Sequence, residues 1–426
     1  MILSLGVIPL VLLLLGFPVY VALLTGLTVM VAFFTNVQLA VLHQMLFGTI
    51  DSFALLAVPF FIYAGELMSR GSVAQRLVDF VQESVGSVRG SLGVTTVRTS
   101  AIFGAISGAS AACVATIGKV MYPAMRRAGY PEPFAAGLVT AVGAIDIIIP
   151  PSIPMIVYGT AAQESVPRLY AAGIFPGLLL AGMLTLYVMI RARRDGFGKG
   201  QPFEVSRFLR ATGRGVWALG APFIILGGIY GGLFSPTEAA AVACIYAAFV
   251  TRFVFRELAW ADILEAATAT VFFTAQILII VACAGVFAWL LTINQVPAMM
   301  VSWIESLNIP LWVLLLTINI ILLLVGCFLD GISAILLLSP LLVPIVKAVG
   351  VDPVHFGIIM TVNLAIGLFH PPFGINIFVA QSVLGIKLEP IYRGIIPFIF
   401  VYLFALALIT YVPPISLFGV RLLLGR

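Results

Sequence analysis

The sequence predicts an all-α polytopic membrane protein made of two inverted-topology repeats, and three observations indicate this. Hydrophobic residues make up 62% of the 426-residue chain and charged residues only 9%. Residues 1–50 and 266–304 contain no Lys, Arg, Asp or Glu, and a spanning helix needs about 20 apolar residues. The third observation is a motif in which a Pro is followed at fixed distances by a Gly and a Pro-Pro pair. Its two copies are Pro123, Gly129, Pro150-Pro151 and Pro344, Gly350, Pro371-Pro372.

The first repeat occupies residues 1–190 and is predicted to cross the membrane five times. In chain order it consists of scaffold spans within 3–68 (3–16, 18–34 and 50–68), an interfacial arm at 72–88, hairpin one at 92–127, a broken helix at 131–165 and a span at 168–190. The arm has the mixed polar and apolar residues of an amphipathic helix at the membrane surface. Hairpin one is interrupted at Ser107-Gly108-Ala109-Ser110, which leaves each limb too short for a comfortable crossing.

The broken helix of each repeat is predicted from its Pro-Pro pair. Each Pro lacks a backbone N–H and its ring clashes with the preceding turn, so Pro150-Pro151 and Pro371-Pro372 interrupt their helices inside apolar sequence. Freed carbonyls are tolerated there only where they line a cavity or bind something. Two matching broken helices in the two halves of a membrane protein are typical of a substrate and ion site at the repeat interface.

A basic linker at 191–214 precedes the second repeat, which occupies residues 215–426. This repeat consists of scaffold spans within 216–293 (216–234, 236–252 and 263–293), an interfacial arm at 296–308, hairpin two at 312–348, a broken helix at 352–386 and a span at 390–416. The tip of hairpin two is Asp330-Gly331-Ile332-Ser333. Because each repeat crosses five times, an odd number, the second repeat must be inverted relative to the first.

The distribution of basic residues sets the predicted orientation. The net charge is +5, but the basic residues lie in short loops at helix ends, as in membrane proteins, and do not indicate a nucleic-acid partner. We place the basic linker in the cytoplasm. The N and C termini are then periplasmic, hairpin one opens to the cytoplasm and hairpin two opens to the outside. Only four of the 22 basic residues then lie outside, namely Arg168, Lys347, Arg421 and Arg426.

The symmetry is expected to bring both hairpin tips and both broken helices together near the middle of the membrane. Gly permits the unusual turns, and hydroxyl and unwound carbonyl oxygens suit Na⁺, whereas half-helix N-termini suit an anion. The candidate Na⁺-binding residues are Ser107, Gly108, Ser110, Ile149, Pro150, Asp330, Gly331, Ser333, Gly367 and His370. The candidate substrate-binding residues are Ser152, Asn363, Pro371, Pro372, Gly374 and Asn376.

Charged residues inside a membrane usually mark function because burying them is costly. Asp146, just before Pro150, is a candidate for ion or proton coupling. Both Asp146 and Asp330 have the alternative role of capping exposed N–H groups, and His370 either titrates near neutral pH or hydrogen-bonds a freed carbonyl. The four cysteines show no metal-site or disulfide spacing. Neither an organic cofactor nor a metal other than Na⁺ is predicted.

These motifs resemble the large membrane subunit of tripartite ATP-independent periplasmic (TRAP) transporters over nearly the whole chain. The matching stretches are Phe103-Gly104, Ser107-Gly108-Ala109-Ser110, Ile117-Gly118, Ile149-Pro150-Pro151-Ser152-Ile153-Pro154, Tyr158-Gly159, Ala172 to Leu179, Ser235-Pro236-Thr237-Glu238-Ala239-Ala240-Ala241 and Gly367 to Gly374. Three positions depart from the family pattern. His370 stands where Thr is usual, Ala109 where Ser is frequent and Asp146 where Gly is common, which leaves the ion stoichiometry open.

The resemblance implies Na⁺-coupled uptake of a small organic carboxylate across the bacterial inner membrane. It also implies an elevator movement, in which the hairpins and broken helices move against a stationary scaffold. The implied partners are a small four-helix membrane subunit, a periplasmic substrate-binding protein and the lipid bilayer. Sialic acid, dicarboxylates and keto acids all remain open as substrates.

Other function classes explain the sequence less well. A stand-alone ion-coupled organic-anion carrier or a Na⁺/H⁺ antiporter shares the inverted hairpins and differs by needing no binding protein. An intramembrane enzyme needs clustered catalytic groups, whereas the acidic residues are scattered and the only histidines are His43, His355 and His370. A passive channel conflicts with paired hairpins, which close one side while the other opens. We therefore predict a carrier and not an enzyme.

Overall fold

The computed structural model describes residues 2–35, 37–198, 200 and 202–425, and for residues 2–5 and 39 it describes the backbone only. Lys199 of the basic linker and the terminal Arg426 lie outside the described residues. The described residues form helices joined by short loops, without a strand among them. Within this part of the chain, seven helical segments are long and apolar enough to cross a membrane. These observations confirm the all-α polytopic class.

The first half of the chain folds into α1 (Ile2–Leu14), α2 (Val19–Phe34), α3 (Leu39–Ile50), a 3-10 turn (Phe53–Leu56), α4 (Ala57–Arg70), α5 (Val73–Val85), α6 (Ser91–Ser107), α7 (Ser110–Arg127), α8 (Glu132–Asp146), α9 (Ile153–Ala162) and α10 (Val166–Asp195). Helices α6 and α7 meet at Gly108 and Ala109, and the Pro-Pro pair separates α8 from α9. The sequence analysis assigned no helix to the segment of α3.

The second half folds into α11 (Val205–Tyr230), α12 (Pro236–Phe249) with a π-helical turn (Val250–Val254), α13 (Trp260–Ile293), α14 (Val296–Ser306), α15 (Leu311–Gly326), α16 (Gly331–Ala348), α17 (Pro353–Gly367), α18 (Ile375–Leu384), α19 (Leu388–Tyr411) and α20 (Pro414–Leu424). The order from α11 to α19 parallels that from α1 to α10, with α13 in the place of α3 and α4. The basic linker is helical at both ends, because α10 continues to Asp195 and α11 begins at Val205. The inverted relation of the halves remains a prediction.

Capping residues fix several helix starts. At the start of α12, Ser235 Oγ accepts from Glu238 N (3.3 Å), and Glu238 Oε2 accepts from Ser235 N (2.8 Å). Asp352 Oδ1 caps α17 by accepting from Val354 N (2.7 Å) and His355 N (3.3 Å). Such contacts satisfy N–H groups that the first turn of a helix leaves without a partner. The cap at Ser235 is the arrangement expected of its Ser-Pro-Thr-Glu sequence.

The centre of the molecule is formed by the first halves of the two broken helices. Every residue of α8 from Phe134 to Asp146, and every residue of α17 from Val354 to Gly367, is buried. Glycines allow neighbouring helices to approach closely: a Cβ on Gly394 of α19 would overlap the carbonyl oxygen of Pro133, in the first turn of α8. The broken helices are therefore held by surrounding protein and have little freedom of their own.

The bases of the two hairpins lie at opposite ends of the molecule. At the base of hairpin one, Gly90 N donates to Gly198 O (2.7 Å), just beyond the end of α10. At the base of hairpin two, Lys347 Nζ lies 3.1 Å from Glu164 Oε1, just before the start of α10. Helix α10 has 30 residues and is therefore about 45 Å long. The two bases are therefore separated by about the length of α10, and the opening of the hairpins to opposite sides of a membrane remains a prediction.

The arm helix α5 is attached to the scaffold by Glu257, which precedes α13. The Glu257 carboxylate accepts from Ser72 N (2.6 Å) and from Ser72 Oγ, and it lies 3.2 Å from Arg76 Nη2. Partial burial raises the pKa of Glu257, but the hydrogen bonds from Ser72 and Arg76 together outweigh it, so the pKa is lowered overall. Glu257 is therefore ionised at neutral pH and holds the start of the arm.

Candidate functional site

A cavity of about 310 Å³ lies where the two hairpin tips meet the two broken helices. It takes residues from both halves of the chain and from scaffold helix α13. The lining residues are Gly108, Ala109, Ser110, Ala111, Ile147, Ile153, Pro154, Phe273, Gln276, Ile277, Ile280, Asp330, Gly331, Ile332, Leu368 and Ile375. This volume is at the lower end of the range of small-molecule sites.

Four helices begin at this cavity. Ser110, Ile153, Gly331 and Ile375 are the first residues of α7, α9, α16 and α18, and each lines the cavity wall. The first turn of a helix presents free N–H groups and partial positive charge. Four such starts on one small, mostly apolar cavity make it suitable for an anion.

The tip of hairpin one rests against the break in the first broken helix. Gly108 has a φ of +59°, a conformation that residues with a Cβ rarely adopt. A Cβ at this position would lie 2.8 Å from the Pro151 carbonyl oxygen. Glycine at the tip therefore satisfies both the backbone turn and the close contact with the Pro-Pro pair.

Asp146 is a buried carboxylate beside this tip. Its exposed fraction is 0%, and Ser107 Oγ donates a long hydrogen bond of 3.5 Å to its Oδ2. Asp146 Oδ1 has no hydrogen-bond partner within the described part of the chain. Gly104 provides the space for it, since a Cβ there would lie 3.0 Å from Oδ1. A buried charge with so few partners is costly.

Asp330 caps the second hairpin tip. Its Oδ2 accepts from Ile332 N (3.1 Å) and Ser333 N (3.0 Å), and Ser333 Oγ donates to its Oδ1. Asp330 also lines the cavity and is exposed there. Of the two roles that the sequence left open for Asp330, the structure shows the contacts of the cap. Its role toward an ion remains a proposal.

Asn376 joins hairpin one to the second broken helix. Its Nδ2 lies 2.8 Å from Ser110 Oγ and 3.4 Å from the Thr140 carbonyl oxygen, and Ser110 Oγ lies 3.1 Å from Asn376 Oδ1. Both side chains are buried. The hydroxyl of Ser110 is therefore engaged by Asn376 of the other half, a pairing that sequence reasoning did not find.

Asn363, by contrast, does not line the cavity. Its Nδ2 donates to Asn319 Oδ1 (2.6 Å) and to Ile359 O (2.9 Å), and Asn319 Nδ2 donates to Thr410 Oγ1 (3.2 Å). This network links α17 to α15 and α19. In this structure Asn363 holds helices together and does not line this cavity, and its role toward a substrate remains a prediction.

The remaining candidates of the first broken helix shape its turn. Ser152 Oγ donates to Ile147 O (2.5 Å) and accepts from the first turn of α9. Ile149 packs beside Gly177 of α10, where a Cβ would lie 2.5 Å from Ile149 Cγ1. Pro150 is buried. None of these three residues lines the cavity, whereas their neighbours Ile147, Ile153 and Pro154 do. Their side chains support the turn, and their roles toward Na⁺ and substrate remain predictions.

At the second broken helix, His370 faces backbone and sulfur atoms. Its Nδ1 lies 2.5 Å from Pro371 O and 3.1 Å from Cys327 Sγ, while Pro372 O accepts from Tyr392 OH (3.0 Å). His370 and both prolines lie outside the set that lines the cavity. The contact with a carbonyl oxygen is one of the two roles that the sequence left open for His370.

Gly367 and Gly374 permit close backbone contacts in the same segment. A Cβ on Gly367 would overlap the Gly326 carbonyl oxygen of α15, and one on Gly374 would lie 2.7 Å from Leu368 O. These glycines allow the chain to fold back tightly between α17 and α18. They position the start of α18 at the cavity.

Sequence reasoning missed the contribution of scaffold helix α13. Phe273 and Gln276 line the cavity from this helix, which contains no charged residue after Glu265. An amide in the middle of a long apolar span is the signal that could have identified Gln276. The cavity is therefore bounded on one side by an element outside the hairpins and broken helices.

The chain is similar to transport proteins over nearly its whole length. The family model described as "Tripartite ATP-independent periplasmic transporter, DctM component" matches residues 7–415. The chain is 41% identical over 372 residues to the C4-dicarboxylate TRAP transporter large permease protein DctM of Pseudomonas aeruginosa, with 87% of each chain covered. It is also 41% identical over 376 residues to the isethionate TRAP transporter permease protein DctMQ of Oleidesulfovibrio alaskensis. That match covers 88% of this chain and 59% of the relative.

The fold is similar to that of a solved transporter. The crystal structure of the Alcanivorax borkumensis YdaH transporter aligns with a TM-score of 0.66 and 16% sequence identity. The alignment covers 98% of this chain and 99% of the other. At this identity the likeness shows a shared fold alone.

Proposed function

The chain belongs to the DctM family of TRAP transporter large permeases, and we propose that it is the Na⁺-coupled transport subunit that imports a small organic carboxylate by an elevator movement. Membership makes the chain a multi-pass transporter permease and not an enzyme. The observation that carries the finer proposal is the cavity between the hairpin tips, on which four helix starts converge.

The cavity fits a small organic anion. Its helix starts supply N–H donors and partial positive charge for a carboxylate, and its apolar wall suits a short carbon skeleton. Gln276 of α13 is a further donor on the scaffold side. A C4-dicarboxylate, named for the Pseudomonas aeruginosa relative, is the first substrate to test.

Asp146 and Ser107 are proposed to hold Na⁺ at the first hairpin. The unpartnered Oδ1 of Asp146 and the neighbouring Ser107 hydroxyl are the oxygen donors that a hard cation prefers. A bound Na⁺ would supply the positive charge that this buried carboxylate otherwise lacks. Removing that carboxylate is therefore expected to weaken ion binding more than it weakens the fold.

The second hairpin carries its carboxylate on a different element. The spacing of the two Pro-Pro motifs places Asp146 in register with Gly367, and Ala109 in register with Asp330. Each half therefore has one carboxylate near its tip, on the broken helix in the first half and on the hairpin in the second. We assign Asp330 to the second Na⁺ site.

Asp330 supplies a physical reason for coupling. Asp330 lines the same cavity as the proposed substrate, and two negative charges held close together repel each other. A carboxylate substrate therefore binds well only when the charge of Asp330 is balanced by a cation. This arrangement favours simultaneous occupation by ion and substrate.

The elevator movement is supported by the placement of the hairpins. Their bases lie at the two ends of α10, as alternating access from two sides requires. Helices α4, α13 and α14 contact the hairpins from the outside and are assigned to the stationary scaffold. The end that carries the basic linker is assigned to the cytoplasm, which leaves both termini in the periplasm of a bacterium with an inner membrane.

We assign two protein partners to this subunit, a small four-helix membrane protein and a periplasmic substrate-binding protein. The tripartite description of the family supports both. The joint name of the longer relative, DctMQ, supports a membrane partner, which is fused to the permease in that relative. A stand-alone anion carrier is the second candidate, and it differs by transporting without the binding protein.

Equilibrium binding of ²²Na⁺ to the purified subunit tests the ion sites directly. The wild-type protein is expected to bind Na⁺ saturably, and Asp146→Asn is expected to weaken binding by about tenfold or more because it removes a charged ligand. Ser416→Ala, at a buried serine that pairs with His355 Nδ1 (3.2 Å) away from the cavity, serves as the control. Unchanged Na⁺ binding by Asp146→Asn would contradict the first site.

A further inference from the structure

A second cavity, of about 450 Å³, lies between α7 of hairpin one and helices α4 and α5. Unlike the central cavity, it has several charged and polar residues in its wall. Those that matter here are Glu66, Arg70, Gln75, Thr116 and Lys119. The cavity lies between an element assigned to the moving part and elements assigned to the scaffold and arm.

One face of α7 connects the two cavities. Ala111 lines the central cavity, whereas Ala115 and Lys119 line the second, and the three follow one another at the four-residue spacing of a helix face. The small alanine side chains leave room between them. Lys119 lies about 13 Å along the helix from Ser110, at a rise of roughly 1.5 Å per residue. One face of α7 therefore runs from the hairpin tip to Lys119.

Lys119 is the cation of this cavity that is free to bind an anion. Arg70 is already engaged, since its Nε lies 2.8 Å from Glu66 Oε1 and its Nη1 lies 3.1 Å from Glu265 Oε1. Lys119 is exposed and has neither an ion pair nor a hydrogen bond to any residue that the structure describes. Glu66 and Arg70 pair with each other, so Lys119 is the charged side chain of this wall that has no ion-pair partner among the described residues, and such a cation attracts anions.

The second hairpin lacks this path. The spacing of the Pro-Pro motifs places Leu336 in register with Ala115, and Pro340 in register with Lys119. The bulkier side chains of α16 leave neither a small-residue face nor a cation there. The combination of a small-residue face and a cation at these positions therefore belongs to hairpin one, whose base lies at the end of α10 that carries the basic linker.

We propose that this second cavity is an anion site on the cytoplasmic exit path, where Lys119 receives the carboxylate of the substrate after it leaves the hairpin tips. That the ligand is the transported substrate rests on the proposed function. Lys119 would bind any exposed anionic group, so the anionic headgroup of a phospholipid is the other ligand to be tested.

The test measures how a single cysteine in this cavity reacts with charged reagents from the cytoplasmic side. Thr116→Cys places a thiol one helical turn before Lys119, with about 5–6 Å between the Cβ atoms. Inside-out membrane vesicles are treated with a negatively charged sulfonate or a positively charged ammonium methanethiosulfonate reagent, and the rate ratio is recorded. The protein without the new cysteine gives the background, which is small because the native cysteines are buried.

Lys119→Gln in the Thr116→Cys protein is expected to lower the anion-to-cation rate ratio about fivefold, because the local positive charge is lost. Arg98→Gln is the matched control. Arg98 is also exposed, lies at a similar depth on the other limb of hairpin one, and is not part of this cavity wall. A ratio that does not respond to Lys119→Gln, or a thiol that reacts only from the outside, would overturn the proposal.

Two further measurements separate the possible causes of failure. If vesicles rich in phosphatidylglycerol, but not phosphatidylcholine, protect the thiol in a Lys119-dependent way, the site holds a lipid headgroup and the exit site is wrong. Uptake is measured on the same variants, with Lys119→Gln expected to reduce its rate about threefold and Arg98→Gln to leave it within about twofold. If wild-type uptake is normal but the anion-to-cation rate ratio does not respond to Lys119→Gln, the exit site is wrong and the proposed transport function stands.

Discussion

Replacing Gly108 with Ala tests the contact between the tip of hairpin one and the Pro-Pro break. Gly108 has a φ of +59°, and an Ala in the left-handed region costs about 1–2 kcal/mol. In addition, the new Cβ would lie 2.8 Å from the Pro151 carbonyl oxygen. The backbone must then move, at the cost of about 1–3 kcal/mol that is usual for overpacking. The two effects together destabilise the protein by about 2–5 kcal/mol.

Gly129→Ala is the control that isolates the backbone term. Gly129 has a φ of +80°, but a Cβ there would have no other atom within 4 Å. This substitution is therefore expected to cost only the conformational penalty of about 1–2 kcal/mol. The difference between the two variants measures the contact with Pro151.

Thermal unfolding of both purified variants in detergent is monitored as the loss of monodisperse protein. Uptake by both variants is measured in proteoliposomes. Gly108→Ala is expected to melt at a clearly lower temperature than Gly129→Ala and to lose most uptake, since the displaced tip no longer forms the cavity. Equal melting temperatures and equal uptake would show that the tip does not rest on the Pro-Pro pair.

Three further predictions concern single contacts. Asp330→Asn keeps the cap of α16 and should leave thermal stability within about 0.5 kcal/mol, whereas Asp330→Ala should lose about 1 kcal/mol; equal losses would contradict the cap. Asn376→Leu should cost about 1–3 kcal/mol in an unfolding assay, because Ser110 loses its buried partner, and full additivity with Ser110→Ala would argue against the pairing. Glu257→Gln should destabilise the arm by at most about 1 kcal/mol at pH 7. The pKa of Glu257 is lowered from 4.5 in the folded protein. The stabilising effect of the Glu257 carboxylate is therefore fully present above about pH 4.5 and disappears as the pH falls through the lower pKa of the folded state. If the difference in melting temperature between wild type and Glu257→Gln does not shrink in acid, this prediction is wrong.

The breaks in the hairpins and broken helices were predictable because Pro and Gly act locally. Pro150-Pro151 ends a helix whatever surrounds it, and Gly108 marks a turn that other residues resist. The structure has α8 end before the first pair, and α6 and α7 meet at Gly108. Sequence therefore located the hairpin tips and the broken helices, which position the cavity.

Features that depend on tertiary partners were not predictable in the same way. Ser110 and Asn376 are 266 positions apart, and nothing in either local sequence indicates the pairing. Asn363 and Gln276 are both polar residues in apolar helices, yet Asn363 bonds to a neighbouring helix while Gln276 faces the cavity. Helix α3 was missed because its segment has only 12 residues and mixes apolar residues with His43, Gln44 and Gly48, so periodicity alone does not delimit it.

Uptake into proteoliposomes is the measurement that tests the proposed function most directly. The vesicles contain this subunit and its small membrane partner, the purified binding protein is outside, and an inward Na⁺ gradient is imposed or replaced by K⁺. We expect radiolabelled substrate to accumulate only when both Na⁺ and the binding protein are present, and Asp146→Asn to reduce accumulation at low Na⁺. Accumulation without the binding protein would identify a stand-alone carrier, and accumulation without Na⁺ would contradict the assignment of the two carboxylates to cation sites.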